Sequence, residues 1–176
     1  PALLAAGARD FFVAHWSEVP AVLRHVEPSR LAVLHGPLRS EDAQFARAAG
    51  VRPVINSLHQ ARLWLDAGGG PCDLMVDSGI NRLGLPPGEI GDPLVAALEI
   101  DTLLSHLASA DEDVPQNAAQ LALFEGLVFA AAELPHDVSE RLRAARVQAV
   151  AKRKIAKIQP AVSLSANGGS ATLTGG

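Results

Sequence analysis

Six short apolar runs recur along this chain, and stretches with helical spacing fall between them. The runs are Phe11-Phe12-Val13-Ala14, Arg30 to Leu34, Pro53-Val54-Ile55, Cys72 to Val76, the stretch 101–107, and Ala161-Val162-Ser163-Leu164. A strand that is apolar at successive positions is buried on both faces. Such strands alternating with helices build a parallel sheet covered by helices. Two architectures satisfy this pattern: an open doubly wound sheet, or part of a (β/α)8 barrel. No Gly-x-Gly-x-x-Gly turn follows the first strand, which weakens the dinucleotide-binding version. Polar residues instead gather after strand ends, at His35-Gly36, Asn56-Ser57, Asp77 to Arg82, His106 and Asn167-Gly168. Barrel enzymes keep their chemistry on that rim. The fold class expected is therefore α/β, a partial TIM barrel of about six parallel strands.

The helical stretches have recognisable ends. Ser17-Glu18-Val19-Pro20 predicts a helix start running to about Val26, with serine as N-cap and proline in the first turn. Ser40-Glu41-Asp42 opens a helix that ends near Gly50, and Gln60 to Leu65 is helical up to Gly68-Gly69-Gly70. Further helices are expected at about 91–99 and from Pro115 to about Glu133. A basic amphipathic stretch over 138–158 carries Arg141, Arg143, Arg146, Lys152, Arg153, Lys154 and Lys157. It reads as a solvated helix face or as a surface for a partner or a membrane. The small polar residues 165–176 read as loop.

The chain has 176 residues, 48% apolar and 19% charged, with a net charge of -4. That is enough for one globular domain with a core, and the acidic balance gives no electrostatic case for nucleic acid. The apolar segments are too short to span a bilayer, and residues 1–8 carry no basic leader-like region. One cysteine, Cys72, leaves no disulfide framework, which fits a reduced, cytoplasmic setting. Cys72 and His15, His25, His35, His59 and His136 show no metal-ligand spacing, so no metal is implied. There is no tyrosine, and the only lysines are Lys152, Lys154 and Lys157. A tyrosine base is thus excluded for this chain, and a lysine mechanism has only that cluster.

Three positions stand out chemically. Arg82 follows Asp77-Ser78-Gly79-Ile80-Asn81 at a strand end and reads either as a surface arginine or as a clamp for a carboxylate, phosphate or phenolate. His106 ends the run at 101–107 and reads either as a satisfied structural group or as a site residue. Asn167-Gly168-Gly169-Ser170 presents backbone N–H groups and a hydroxyl suited to phosphate.

Taken together, Val76-Asp77-Ser78-Gly79-Ile80-Asn81-Arg82-Leu83-Gly84, Ser105-His106-Leu107-Ala108-Ser109-Ala110-Asp111-Glu112 and, more loosely, Ser163 to Gly169 resemble the barrel domain of alanine racemase, a fold-type III pyridoxal-phosphate (PLP) enzyme. Phe12-Val13-Ala14 and Pro53 to Ser57 extend the likeness over most of residues 1–124. It thins over 125–160. The resemblance implies a cytoplasmic isomerase that interconverts L- and D-alanine for peptidoglycan, with PLP as cofactor, a small amino acid as substrate and a homodimer as assembly. It implies that Arg82 contacts the cofactor's phenolic oxygen and the substrate carboxylate, and that His106 supports an arginine facing the pyridine nitrogen. It also implies that Asn167 helps hold the phosphate. Family members often carry a carbamate-modified lysine where this chain has Met75.

The departures from that family are as informative. Its cofactor-anchoring lysine would precede residue 1. Its tyrosine base belongs to a β-domain, and the arginine for the pyridine nitrogen would follow residue 176. No catalytic residue is therefore assigned here. Residues 1–176 are expected to form a single incomplete barrel domain, inactive alone, with 125–160 as an atypical basic helical segment. A six-stranded arc would leave two edges free to pair with other chains, and each large apolar group left exposed forgoes roughly 1.5–3 kcal/mol. Such an arc should fold poorly alone or self-associate. The competing reading is a non-catalytic binding protein derived from a PLP barrel, using helix 138–158 as its interaction surface.

Overall fold

The computed structural model describes residues 2–131, so the expected strand at 161–164, the basic stretch 138–158 and Asn167 lie outside the described residues. Five parallel strands form one sheet in chain order: β1 (Phe11–Val13), β2 (Leu31–Val33), β3 (Arg52–Ile55), β4 (Pro71–Val76) and β5 (Glu99–Ser105). Helices fall between and around them: α1 (Ala2–Ala5), α2 (Val19–Val22), α3 (Ser40–Ala49), α4 (Leu58–Asp66), α5 (Pro93–Ala96) and α6 (Pro115–Ala131). Sequential parallel strands with no reversal of order are the topology of a barrel arc, not of a doubly wound sheet, whose strand order reverses.

The apolar runs become strands for the reason the sequence suggests. β2, β3 and all of β4 after Pro71 are buried along their length. On the outer side, Ile55, Cys72, Leu74, Val76 and Ile100 pack against Ala43, Ala46, Ala61, Trp64 and Val95 from the helices. On the inner side a thin layer forms from Ala32, Val54 and Met75, with Leu34 and Leu104 against it. α3 ends at Gly50 in the left-handed conformation (φ 67°), as its sequence predicts.

Several boundaries differ from expectation. The first long helix is a 3-10 turn, Trp16–Glu18, leading into a single turn, α2, that ends at Val22 and not at Val26. Its start is held by Glu18 Oε2, which accepts the His15 N–H at 2.7 Å, so Ser17 does not cap it. β5 begins at Glu99, two residues before the expected 101. α5 contracts to Pro93–Ala96 to make room.

An ion cluster lies at the N-terminal ends of the strands. Arg52, 9% exposed, donates Nε to Asp73 Oδ1 at 3.2 Å and Nη1 to the Ser29 carbonyl. It also lies 3.7 Å from Asp10 and 3.6 Å from Asp101. Asp73 is fully buried, and its Oδ2 has no hydrogen-bond partner. Burial pushes the Asp73 carboxyl up to about 6 despite the opposing pull of Arg52. These groups sit at the end of the sheet that barrel enzymes use for stability, away from the chemistry.

Candidate functional site

The C-terminal end of β4 shows how a short polar sequence fixes an arginine. Past Val76, Asp77 Oδ1 accepts three backbone N–H groups, from Gly79 at 2.8 Å, Ile80 at 3.0 Å and Asn81 at 3.1 Å. Folding the chain around one carboxylate oxygen takes left-handed dihedrals, which Gly79 (φ 131°) and Asn81 (φ 56°) supply. The loop then closes on its own strand. Leu85 N–H donates to Met75 at 2.8 Å, and Asp77 N–H donates to Leu85 O at 3.0 Å, with Leu85 fully buried. Gly84 (φ 117°) passes so close that a Cβ there would lie 2.6 Å from Asp77 N and 2.7 Å from Val76 C.

This loop presents Arg82. Its Nη2 lies 3.2 Å from His106 Nε2, just past the end of β5, and both side chains are exposed on the rim. A guanidinium has donors only, so His106 must accept. Accepting at Nε2 requires the tautomer that carries its proton on Nδ1. The structure thus brings together two of the three residues singled out from the sequence. The third, Asn167, is outside the described residues.

Behind the pair is a buried polar layer that sequence reasoning missed. Ser78 Oγ and Ser105 Oγ lie 2.6 Å apart, joining the ends of β4 and β5. Gln120 of α6 reaches into the same place. Its Nε2 donates to Ser78 Oγ and to the His106 carbonyl, both at 3.2 Å, and its Oε1 accepts the Ala108 N–H at 3.0 Å. Asn117, one turn earlier, donates to Ser109 O at 2.8 Å and Glu112 O at 2.7 Å. The ends of β2 and β3 are joined alike: Gln60 donates to His35 O and accepts from Asn56 N, each at 2.7 Å. The available signal was a glutamine set among alanines on an otherwise apolar helix, as in Asn117-Ala118-Ala119-Gln120.

Other candidates sit elsewhere on the fold. The His15 and His35 rings meet edge to face with centroids 4.3 Å apart, at the ends of β1 and β2. Cys72 lies inside β4, where burial pushes its thiol up and makes it a poor nucleophile. Among the described residues no His, Cys, Asp and Glu cluster is arranged to hold a metal ion. No helix among them is long and apolar enough to cross a membrane. A cavity of about 700 Å³ opens between β5 and α6, bordered by Leu103, Leu107, Leu121, Phe124 and the Ser78–Gln120 layer.

Comparison with known proteins gives the family of the chain. The family described as alanine racemase, N-terminal domain, matches residues 1–145. A second family, described as a protein of unknown function (DUF3619), matches residues 116–176 and so overlaps the first from α6 onward. An alanine racemase of Cereibacter sphaeroides is 41% identical over 131 residues, covering 72% of this chain and 37% of the relative. One from Brucella ovis is 38% identical over 149 residues, covering 77% and 37%. Among solved structures, alanine racemase from Bartonella henselae with covalently bound pyridoxal phosphate superposes with a TM-score of 0.63 at 33% identity. That match covers 77% of this chain and 42% of the other. Alanine racemase from Corynebacterium glutamicum has the same fold, with a TM-score of 0.66 at 23% identity over 79% of this chain and 42% of its own. The chain therefore spans well under half the length of these relatives. The chain belongs to the alanine racemase N-terminal domain family.

Proposed function

We propose that this chain carries the arginine-bearing side of a PLP-dependent racemase site whose substrate is alanine, and that the described residues form one barrel segment. The observation that carries this reading is the Arg82–His106 contact at the joined ends of β4 and β5. Arg82 spends one donor on His106 and keeps the rest of its five-donor fork toward the rim. A planar cation with free donors suits an oxyanion, whether the phenolate of a cofactor ring or the carboxylate of an amino acid. When bound, PLP supplies an electron-withdrawing ring that makes the substrate's α-proton removable.

The donor set fits only part of that cofactor. Arg82 matches its phenolate edge, but no lysine occurs among the described residues to meet its aldehyde. The amine has to come from Lys152, Lys154 or Lys157, or from outside these 176 residues. The absence of tyrosine removes the usual opposing base in the same way. The chain on its own is thus proposed to bind without racemising and, as the family resemblance implies, to work as part of a dimer.

Pyridoxine 5'-phosphate tests the binding half, because it has the phenol and phosphate but no aldehyde to react with stray lysines. Losing a hydrogen bond to a charged group costs about 1.5–3 kcal/mol, so Arg82→Leu should weaken binding by roughly 10- to 100-fold. Equal affinity for both chains overturns the assignment. Conversion of L- to D-alanine by the 176-residue chain supplied with PLP would overturn the inactivity.

A further inference from the structure

The Arg82–His106 pair is exposed, and an exposed contact of this kind contributes about 1 kcal/mol or less, too little to fix its own geometry. Something behind it must do so. Gln120 is 2% exposed and sits directly beneath the pair. Both its amide protons and its oxygen are used, on groups that belong to the two loops bearing Arg82 and His106. Through the His106 carbonyl and the Ala108 N–H it fixes the backbone from which the imidazole projects. Through Ser78 Oγ, itself 2.6 Å from Ser105 Oγ, it fixes the first residues of the loop that carries Arg82. Gly79 passes over its stem, where a Cβ would meet Gln120 Cγ at 3.6 Å.

We infer that Gln120 is a positioning residue: its buried amide sets the separation and mutual orientation of Arg82 and His106. The fold offers an internal control. Gln60 clips the neighbouring strand ends through His35 O and Asn56 N and touches neither member of the pair. A role in general packing would make the two glutamines interchangeable in effect, whereas a positioning role confines the effect on His106 to Gln120. The geometry at issue is independent of any ligand. Its use in catalysis rests on the reading proposed above.

Nitrogen-15 NMR of the histidine rings in the full chain reads the pair directly. In the parent chain His106 should show the Nδ1–H form, with Nε2 as acceptor from Arg82. Gln120→Met keeps the length of the side chain and removes its hydrogen bonds. It should move His106 toward the mixed tautomers of a free imidazole while circular dichroism stays native. Gln120→Glu, which keeps the acceptor for Ala108 N–H but loses the donors, should do the same. Gln60→Met should leave His106 unchanged. An unchanged His106 in folded Gln120→Met, or an equal change in Gln60→Met, overturns the inference. Loss of native dichroism in both Gln120 variants also overturns it, since the residue would then be a folding determinant only. Pyridoxine 5'-phosphate titration separates this inference from the proposed function. A tautomer change with no Arg82-dependent binding sinks the function and leaves Gln120. Arg82-dependent binding with an unmoved His106 does the reverse.

Discussion

Raising the pH from about 4.5 to about 7.5 should take a proton from Asp73 in the folded chain, whereas the same group in the unfolded chain has already lost its own. The folded carboxyl is pushed from 3.8 to about 6, chiefly by burial, with Asp101 and Asp10 adding to the rise and Arg52 opposing it. Between those values the folded state binds a proton that the unfolded state does not, so stability falls as pH rises through the window. The gap between 3.8 and about 6, at 1.36 kcal/mol per tenfold in proton affinity, comes to ~3 kcal/mol. Asp73 is fully buried, so solvent screening takes little from that figure. Asp73→Asn removes the titration and keeps an oxygen for Arg52 Nε, and Arg52 retains Asp10 and Asp101. The part of that gap inside this range runs from about 4.5 to about 6, so urea unfolding followed by Trp16 and Trp64 fluorescence should show the parent chain losing about 2 kcal/mol relative to the variant. Parallel curves for the two chains, or a parent that gains stability with pH relative to Asp73→Asn, would refute the reasoning.

Gly84→Ala places a Cβ against the Asp77 backbone at a φ of 117°, and relief comes only by lifting the loop and with it buried Leu85. With about 1–3 kcal/mol from the dihedral and part of the burial of a leucine, the loss should be about 2–4 kcal/mol, read as a lower thermal midpoint. A variant melting with the parent would contradict this. Cys72, buried inside β4 with its thiol pushed up, should react with a disulfide reagent only at the rate of opening. Rapid labelling in native buffer would show that β4 is not covered as described.

How much of this was legible in the sequence follows from where each constraint acts. The strands and their order were legible because a parallel sheet buries both faces of its strands, and β2, β3 and β4 keep that pattern throughout. The apolar pattern places the start of β5 two residues late because the strand opens on a charged residue, Glu99, and Asp101 is polar as well. As the outermost described strand it exposes both, so its sequence carries only part of the apolar signal. The loop bearing Arg82 was legible as a polar, glycine-eased turn. That its aspartate would gather three N–H groups was not, since only the closed loop brings them together. Gln60 and Gln120 were invisible for a related reason. A glutamine on a helix is usually solvated, and only tertiary packing shows it buried against carbonyls from other elements.

The arc of strands has two unequal faces. Among the described residues its inner apolar layer is thin, with Phe12 of β1 left 44% exposed and Ala32, Val54 and Met75 as the buried hydrophobic groups. The outer face is better filled: Trp64, Leu74, Val76, Leu85, Val95 and Ile100 form one continuous core between sheet and helices, and Val19, Leu31, Val33 and Val51 a second beneath β1 and β2. The rim pair hangs from that outer side. Its loop closes on Leu85, which belongs to the outer core, and its amide comes from α6, whose Phe124 and Leu127 pack against that core. β4 and β5 are also paired along their length, from Pro71–Glu99 to Val76–Ser105. Arg82 and His106 therefore need only two adjacent strands and the helix after them to meet. Closure of a barrel would add the inner layer and further site residues without having to create this contact.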